Sequence, residues 1–214
     1  MVRLQWCEDT DVNTAWDPLT VDEIAERFDP YGVAWWIAGG WAIDCFLGWE
    51  TRPHDDIDVE MFRADRDVLS DVFAGWELFT VSSGTWTPWC RGSPIAPEVF
   101  GIWGRPSKES PWRVEILLAD GDDDRWRFRR DPAVNLARDA LIRYTSSGIP
   151  YCTPEVQLLY KAKMARPKDD VDLARCLHHM GTKQRRWLAE AIERIDPQHA
   201  WIRVLEIATR SRDE

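Results

Sequence analysis

The sequence predicts an α+β fold, with a mixed sheet through residue 152 and a small helical bundle after it. Two observations carry that expectation. Up to Cys152, apolar runs of strand length alternate with short helical patterns, set apart by clusters of Gly, Pro and Ser. From Thr153 the period becomes helical, opening on "TPEVQLLYKAKMAR" with Thr153 as N-cap and Pro154 at the first helical position. Composition allows such a fold: of 214 residues 44% are hydrophobic, enough for a core of ordinary size. The expected division is residues 1–152 and residues 153–214.

Residues 1–18 have no periodicity and are expected to wrap the surface. Thr20 and Glu23 form a capping box ahead of Ile24, Ala25 and Phe28, and Asp29-Pro30 ends that helix. Residues 33–38 are apolar on both faces, the pattern of an interior strand. Gly39-Gly40 turns the chain into a short helix over 41–47, closed by Gly48. A polar loop over 49–55 leads to an alternating strand over 56–62. Residues 65–76 read as helix, 77–81 as strand, and 82–97, with its glycines, prolines and two tryptophans, as irregular. Further strands are expected over 99–103, 112–119 and 125–130, and 140–145 with 149–152 flank a Ser-Ser-Gly turn. Later helices are expected over 168–180 and 182–195, with a last one from 198.

Five cysteines form no CxxC pair and are odd in number, which points to free thiols in a reducing compartment rather than to disulfides or a zinc site. The longest uncharged apolar stretch, 33–43, is too short to span a bilayer, and the N-terminus lacks the order of a signal peptide. A cytoplasmic location without a membrane partner is the expectation. The net charge of −10 is uneven, −16 over residues 1–124 and +6 over 125–214. An acidic front half is a poor match for a nucleic-acid backbone and suits metal ions or a cationic small molecule. The basic rear half could face an anion such as a triphosphate, or only solvent.

The segment "WWIAGGWAIDCFLGWETRPHDDIDVEMF", 35–62, carries the chemistry. A strand that ends in Gly39-Gly40 at a helix N-terminus exposes backbone N–H groups and lets a phosphate approach, with the helix dipole assisting. On an alternating strand Asp56 and Asp58 share a face, their Cα atoms roughly 6.5 Å apart. Such a pair can share magnesium ions that bridge phosphate oxygens and activate a hydroxyl. Glu60 continues that face, as a further ligand or as a solvated outer position. In "WRVEILLAD", Glu115 is the lone charge at the centre of an apolar strand, where an ionised carboxylate is costly without a cation nearby. It reads as general base, metal ligand or both.

Gly39-Gly40-Trp41-Ala42-Ile43-Asp44, then Gly48, Thr51-Arg52, His54 and Asp56-Ile57-Asp58, resembles the signature of the DNA-polymerase-beta-like nucleotidyltransferase superfamily. Within it the pattern is similar to the aminoglycoside 2''-adenylyltransferases and the lincosamide nucleotidyltransferases. The match is dense over 35–59, looser through Glu115, and resumes at "TPEVQLLYKAK" and "KDDVDL". The resemblance implies a nucleotidyltransferase core in which Asp56 and Asp58 bind Mg2+, Glu115 is the third acid, and Gly39-Gly40 holds the triphosphate. The third acid of the aminoglycoside enzymes is typically Asp, so Glu115 departs from the pattern. The implied reaction moves a nucleoside monophosphate, AMP from ATP in the leading reading, to a hydroxyl of a small molecule. An aminoglycoside-like antibiotic is the leading acceptor, because a polycation suits the acidic front half. The same fold also serves toxin or antitoxin enzymes that modify protein or RNA, and a nucleotide-binding module without turnover is the reading from another class.

Other residues keep two readings. Arg52 could contact a phosphate and His54 a carboxylate or nucleotide oxygen, or both could be solvated. Lys161, on the helix opened by Pro154, is the expected triphosphate contact, with Lys163 on another face. Arg125, Arg127 and Arg129 alternate on one strand face that is expected to be solvated. His178-His179 lacks spaced partners and is expected at the surface. Trp86, Trp89, Trp103 and Trp112 fall in or beside irregular segments, where flat rings could stack on a base or a sugar.

Overall fold

The computed structural model describes residues 15–213, and the side chains of 15–210. The expectation for residues 1–14, and Cys7 with it, lies outside the described residues. The Thr20–Glu23 box caps helix α1 (Val21–Phe28), with Thr20 Oγ1 accepting from Glu23 N and Glu23 Oε2 accepting from Thr20 N. Then follow β1 (Trp35–Ile37), α2 (Gly39–Leu47), β2 (Asp58–Phe62), a 3-10 stretch (Arg63–Val68) running into α3 (Leu69–Val72), β3 (Glu77–Ser82) and β4 (Thr85–Trp89). The chain continues through β5 (Gly101–Arg105), β6 (Val114–Gly121), β7 (Arg125–Arg127), β8 (Asn135–Ala137), α4 (Arg138–Leu141), β9 (Ile142–Tyr144) and β10 (Pro150–Cys152). Four helices close it: α5 (Pro154–Ala162), α6 (Pro167–Leu177), α7 (Thr182–Ile195) and α8 (Ala200–Asp213).

The strands form one mixed sheet in the order β4-β3-β5-β6-β2-β1-β10-β9, with β7 and β8 branching from β6. The pairs β2/β6 and β1/β10 are parallel and the others along that path antiparallel. Its inner strands bury Trp36, Ile37, Val59, Met61 and Ile116 against the helices. Helix α5 is buried along nearly its whole length, so its first turns belong to the core of the sheet. The four described cysteines are free, and no helix among the described residues is long and apolar enough to cross a membrane.

Four expectations need correction. Strand β2 begins at Asp58, so Asp56 stands in the preceding loop rather than on the strand. The cause is the neighbour: β1 ends at Ile37 and its chain turns into α2, which leaves Asp58 O, bonded by Ala38 N at 2.9 Å, as the last rung. The region 82–97 is not irregular throughout, because β3 and β4 form a hairpin across Ser83 and Gly84, both at positive φ as a tight two-residue turn requires. Pro88 fits there because β4 is, among the described residues, an edge strand with no ladder partner on its outer side. Accordingly Trp86 and Trp89 stand on β4, while Trp103 stands on β5, where a strand was expected; Trp112 and Trp89 are buried, and Trp86 and Trp103 are half-buried. Finally, the helix expected over 65–76 is shorter and begins as 3-10, and β8 and α4 were not foreseen at all.

Candidate active site

Three acids meet on one face of the sheet. Parallel pairing of β2 with β6 sets Asp58 directly beside Glu115, and Glu60 beside Leu117. Asp58 is half-buried by exposed area yet ringed by protein. Burial pushes its carboxyl well above the usual range, and the charges of Glu115, Asp56 and Glu60 push the same way against Lys161. Burial also raises Glu115, helped by Asp56 and opposed by the Trp103 indole and Arg129. Each carboxylate therefore resists the ionisation of the next, a state that a cation relieves. Among the described residues no three His, Cys, Asp or Glu side chains converge as a self-sufficient metal cage. The donor set is all carboxylate oxygen, the chemistry of a hard ion such as Mg2+, which takes one or two carboxylates and completes its shell with substrate phosphates and water.

Beside this floor, α2 starts at Gly39 with no side-chain cap and no acid in its first turn. Gly39 sits at φ +64, and a Cβ there would lie 2.0 Å from Asp58 Oδ2. At Gly40 a Cβ would meet the His54 ring at 2.4 Å and Arg52 Nη2 at 2.7 Å. The space that both glycines leave is thus filled by protein side chains. Gly39 N donates to Gln157 Oε1 on α5 at 2.9 Å.

The loop over 51–56 is fixed from below by Asp44 on α2. This buried carboxylate accepts from Thr51 Oγ1 and from His54 Nε2, each at 2.6 Å. On the other side of the ring, Arg52 Nη1 lies 3.0 Å from His54 Nδ1. Arginine can only donate, so Nδ1 accepts and the proton sits on Nε2, facing Asp44. Arg52 is held in this way at the edge of a cavity of about 280 Å³ that Gly39, Gly40, Asp56 and Asp58 also line.

The opposite wall is basic and comes from the rear of the chain. Lys161, buried on α5, is 2.9 Å from Asp172 and 3.5 Å from Asp169 of α6, and Arg52 reaches the same Asp172 at 3.9 Å. Burial works against the ionisation of Asp169, yet Arg166 and Lys161 hold its carboxyl below the usual range. Arg129, Arg130, Arg166 and Lys168 also line the cavity, as does Tyr160.

The structure brings together Gly39, Gly40, Arg52, His54, Asp56, Asp58 and Lys161 around one cavity, with Glu115 beside Asp58 on the neighbouring strand. Lys161 is engaged with two carboxylates rather than free, and Lys163 is exposed elsewhere, on a second, mainly apolar cavity. Glu60 is not solvated: it is 4% exposed, accepts from Trp36 Nε1 at 2.8 Å, and burial pushes its carboxyl up to about 7 against that hydrogen bond and Arg129. Of the alternating arginines, Arg125 and Arg127 are turned outward to Asn135 and Asp122, while Arg129 enters the cavity. His178 and His179 are exposed, as expected. Sequence reasoning missed Gln157, Tyr160, Arg130, Arg166 and Lys168, which come from α5, α6 and the turns beside them and meet at the cavity only through the fold, so no local pattern singles them out.

Comparison with known proteins adds an independent line. The family described as aminoglycoside-2''-adenylyltransferase matches residues 20–86. A 2''-aminoglycoside nucleotidyltransferase of Escherichia coli is 49% identical over 108 residues, covering 46% of this chain and 61% of the relative, and one of Klebsiella pneumoniae matches to the same extent. The chain thus spans about three fifths of the length of these relatives. The crystal structure of the lincomycin-bound lincosamide antibiotic adenylyltransferase LnuA superposes with a TM-score of 0.51 at 17% identity, over 74% of this chain and 97% of that one. In fold the chain is similar to that adenylyltransferase, and in the sequence that builds its glycine turn and aspartate pair it resembles the aminoglycoside 2''-adenylyltransferases.

Proposed function

We propose that the protein is a Mg2+-dependent nucleotidyltransferase that moves AMP from ATP to a hydroxyl of an aminoglycoside-like antibiotic and releases pyrophosphate. The observation that carries this reading is the placement of Asp58 beside Glu115, with Asp56 close enough to raise both, next to the N-terminus of α2. Asp56 and Asp58 would hold Mg2+, which would offset the charge that builds on the phosphate oxygens. Arg52, kept in place through His54, and Lys161 and Arg166 across the cavity contact the triphosphate. The acceptor hydroxyl attacks the α-phosphorus; its oxygen forms the new P–O bond as the bond to the pyrophosphate oxygen breaks, and Glu115 takes the hydroxyl proton. A carboxylate raised by burial is a stronger base than one in water, which suits Glu115 to that task.

A polycationic acceptor is favoured by the net charge of −16 over residues 1–124. The division at residue 152, with the helical part over 153–214 adding α5 and Arg166 to the cavity, and a cytoplasmic location belong to the same proposal. The test is incubation with each labelled nucleoside triphosphate, Mg2+ and a panel of aminoglycosides, lincosamides and neutral sugars, followed by mass spectrometry. An acceptor heavier by one nucleoside monophosphate, formed only with Mg2+, is the expected product. No mass change with any triphosphate removes the proposal, and transfer only to neutral acceptors removes its aminoglycoside part.

A further inference from the structure

We propose that Glu60 receives the ribose hydroxyls of the nucleotide, so that the cavity selects ribonucleotides over deoxyribonucleotides. This rests on the reading of the cavity as a nucleotide site and names the part of the nucleotide that one further residue recognises. Glu60 lines the same cavity as Gly39, Asp56 and Asp58. It stands two residues beyond Asp58 on the same face of β2, a step of roughly 6.6 Å, the scale of one sugar rather than of a whole nucleotide.

Its chemistry narrows the partner. A carboxylate 4% exposed is costly to bury, and an apolar side chain at this position would pack without that cost. The Trp36 indole occupies one oxygen, while an ionised carboxylate accepts at about four positions. No ion pair to Glu60 forms among the described residues, and Arg129 acts on it only from beyond that range. Glu60 can therefore take donors from a ligand and repels phosphates. With the phosphates at α2 and the aspartate pair, the first donors along a nucleoside triphosphate are the 2' and 3' hydroxyls. The amino and ring N–H groups of a base lie a full sugar farther on, toward Arg129 and Tyr160, whose guanidinium and ring stack 5.4 Å apart.

The experiment is equilibrium binding, with Mg2+ and without acceptor, of the four ribonucleoside triphosphates and their 2'-deoxy and 3'-deoxy counterparts to the wild type and to Glu60→Gln. The wild type is expected to lose about tenfold to a hundredfold in affinity when the recognised hydroxyl is absent, the effect of one hydrogen bond to a charged acceptor. Glu60→Gln, which keeps an acceptor for Trp36, is expected to bind both series within about threefold of each other. The wild-type series alone decides the matter if the variant does not fold. Equal wild-type affinity for ribo and deoxy forms overturns this inference and leaves nucleotidyl transfer standing. So does a Glu60→Gln variant that keeps the full preference for the ribo forms. A wild type that binds no nucleotide overturns both.

Discussion

The floor and the wall of the cavity are built from opposite charges and handle them in opposite ways. On the floor, Asp58, Glu60 and Glu115 stand on neighbouring strands with no ion pair among them, and burial raises each one. On the wall, Lys161 is paired with Asp169 and Asp172, and Arg52 and Arg166 share the same carboxylates. The wall is compensated from within the protein, whereas the floor waits for a charge from outside. That contrast separates residues held for chemistry from residues that also hold the fold.

The largest expected effect is on the floor. Asp56→Asn and Asp58→Asn, each close to isosteric, should abolish transfer while circular dichroism stays native; Asp58→Asn should melt higher without Mg2+, since it removes one of several repelling charges. Full activity in either variant would end the metal reading. Next, Glu115→Gln should keep much of the nucleotide affinity and lose turnover by roughly two to four orders of magnitude. Rapid-quench turnover at saturation beside nucleotide binding separates the outcomes: lost binding with unchanged turnover would make Glu115 a ligand only.

On the wall the readout changes from rate to stability. Lys161→Met leaves Asp169 and Asp172 buried with one cation fewer, and denaturant melts should show a loss of roughly 3 to 4 kcal/mol, moderated by Arg52 and Arg166. A variant as stable as the wild type would show that the wall is not compensated as described. The smallest effect belongs to Glu60→Gln. Glu60 is raised to about 7 in the fold from 4.5, so the folded protein holds the extra proton between these values. Wild-type stability should fall as pH rises through that window and level off above it. Glu60→Gln should lack that slope and be about 2 to 3 kcal/mol more stable at pH 8, with no gain at pH 4. Parallel melting curves against pH for the two proteins would contradict the buried carboxylate.

Much of the floor was legible because it is local. The capping box, the glycine turn and the alternation after Asp58 are each set within a few residues. Glu60 shows where that ends: alternation gave its face, but its burial comes from Trp36 and from a cavity partly closed by Arg129 and Tyr160, far along the chain. Asp56 was placed on the strand because the period reaches it, whereas the end of β1 decides where the ladder stops. The β3–β4 hairpin was missed because tryptophan and proline masked a Ser-Gly turn. The glycines were legible as a constraint, although the groups that need their space include Asp58, His54 and Arg52.

The bond from Gln157 to Gly39 N has a practical side for anyone who wants to change what this protein accepts. It ties the second turn of α5 to the start of α2 across 118 positions, and Tyr160 and Lys161 on the same helix line the cavity. A chimera that exchanges the helical region at the obvious seam, between Cys152 and Pro154, would cut through the lining of the cavity rather than around it. The graft should instead join after Ala162, so that α5 travels with the sheet that it completes.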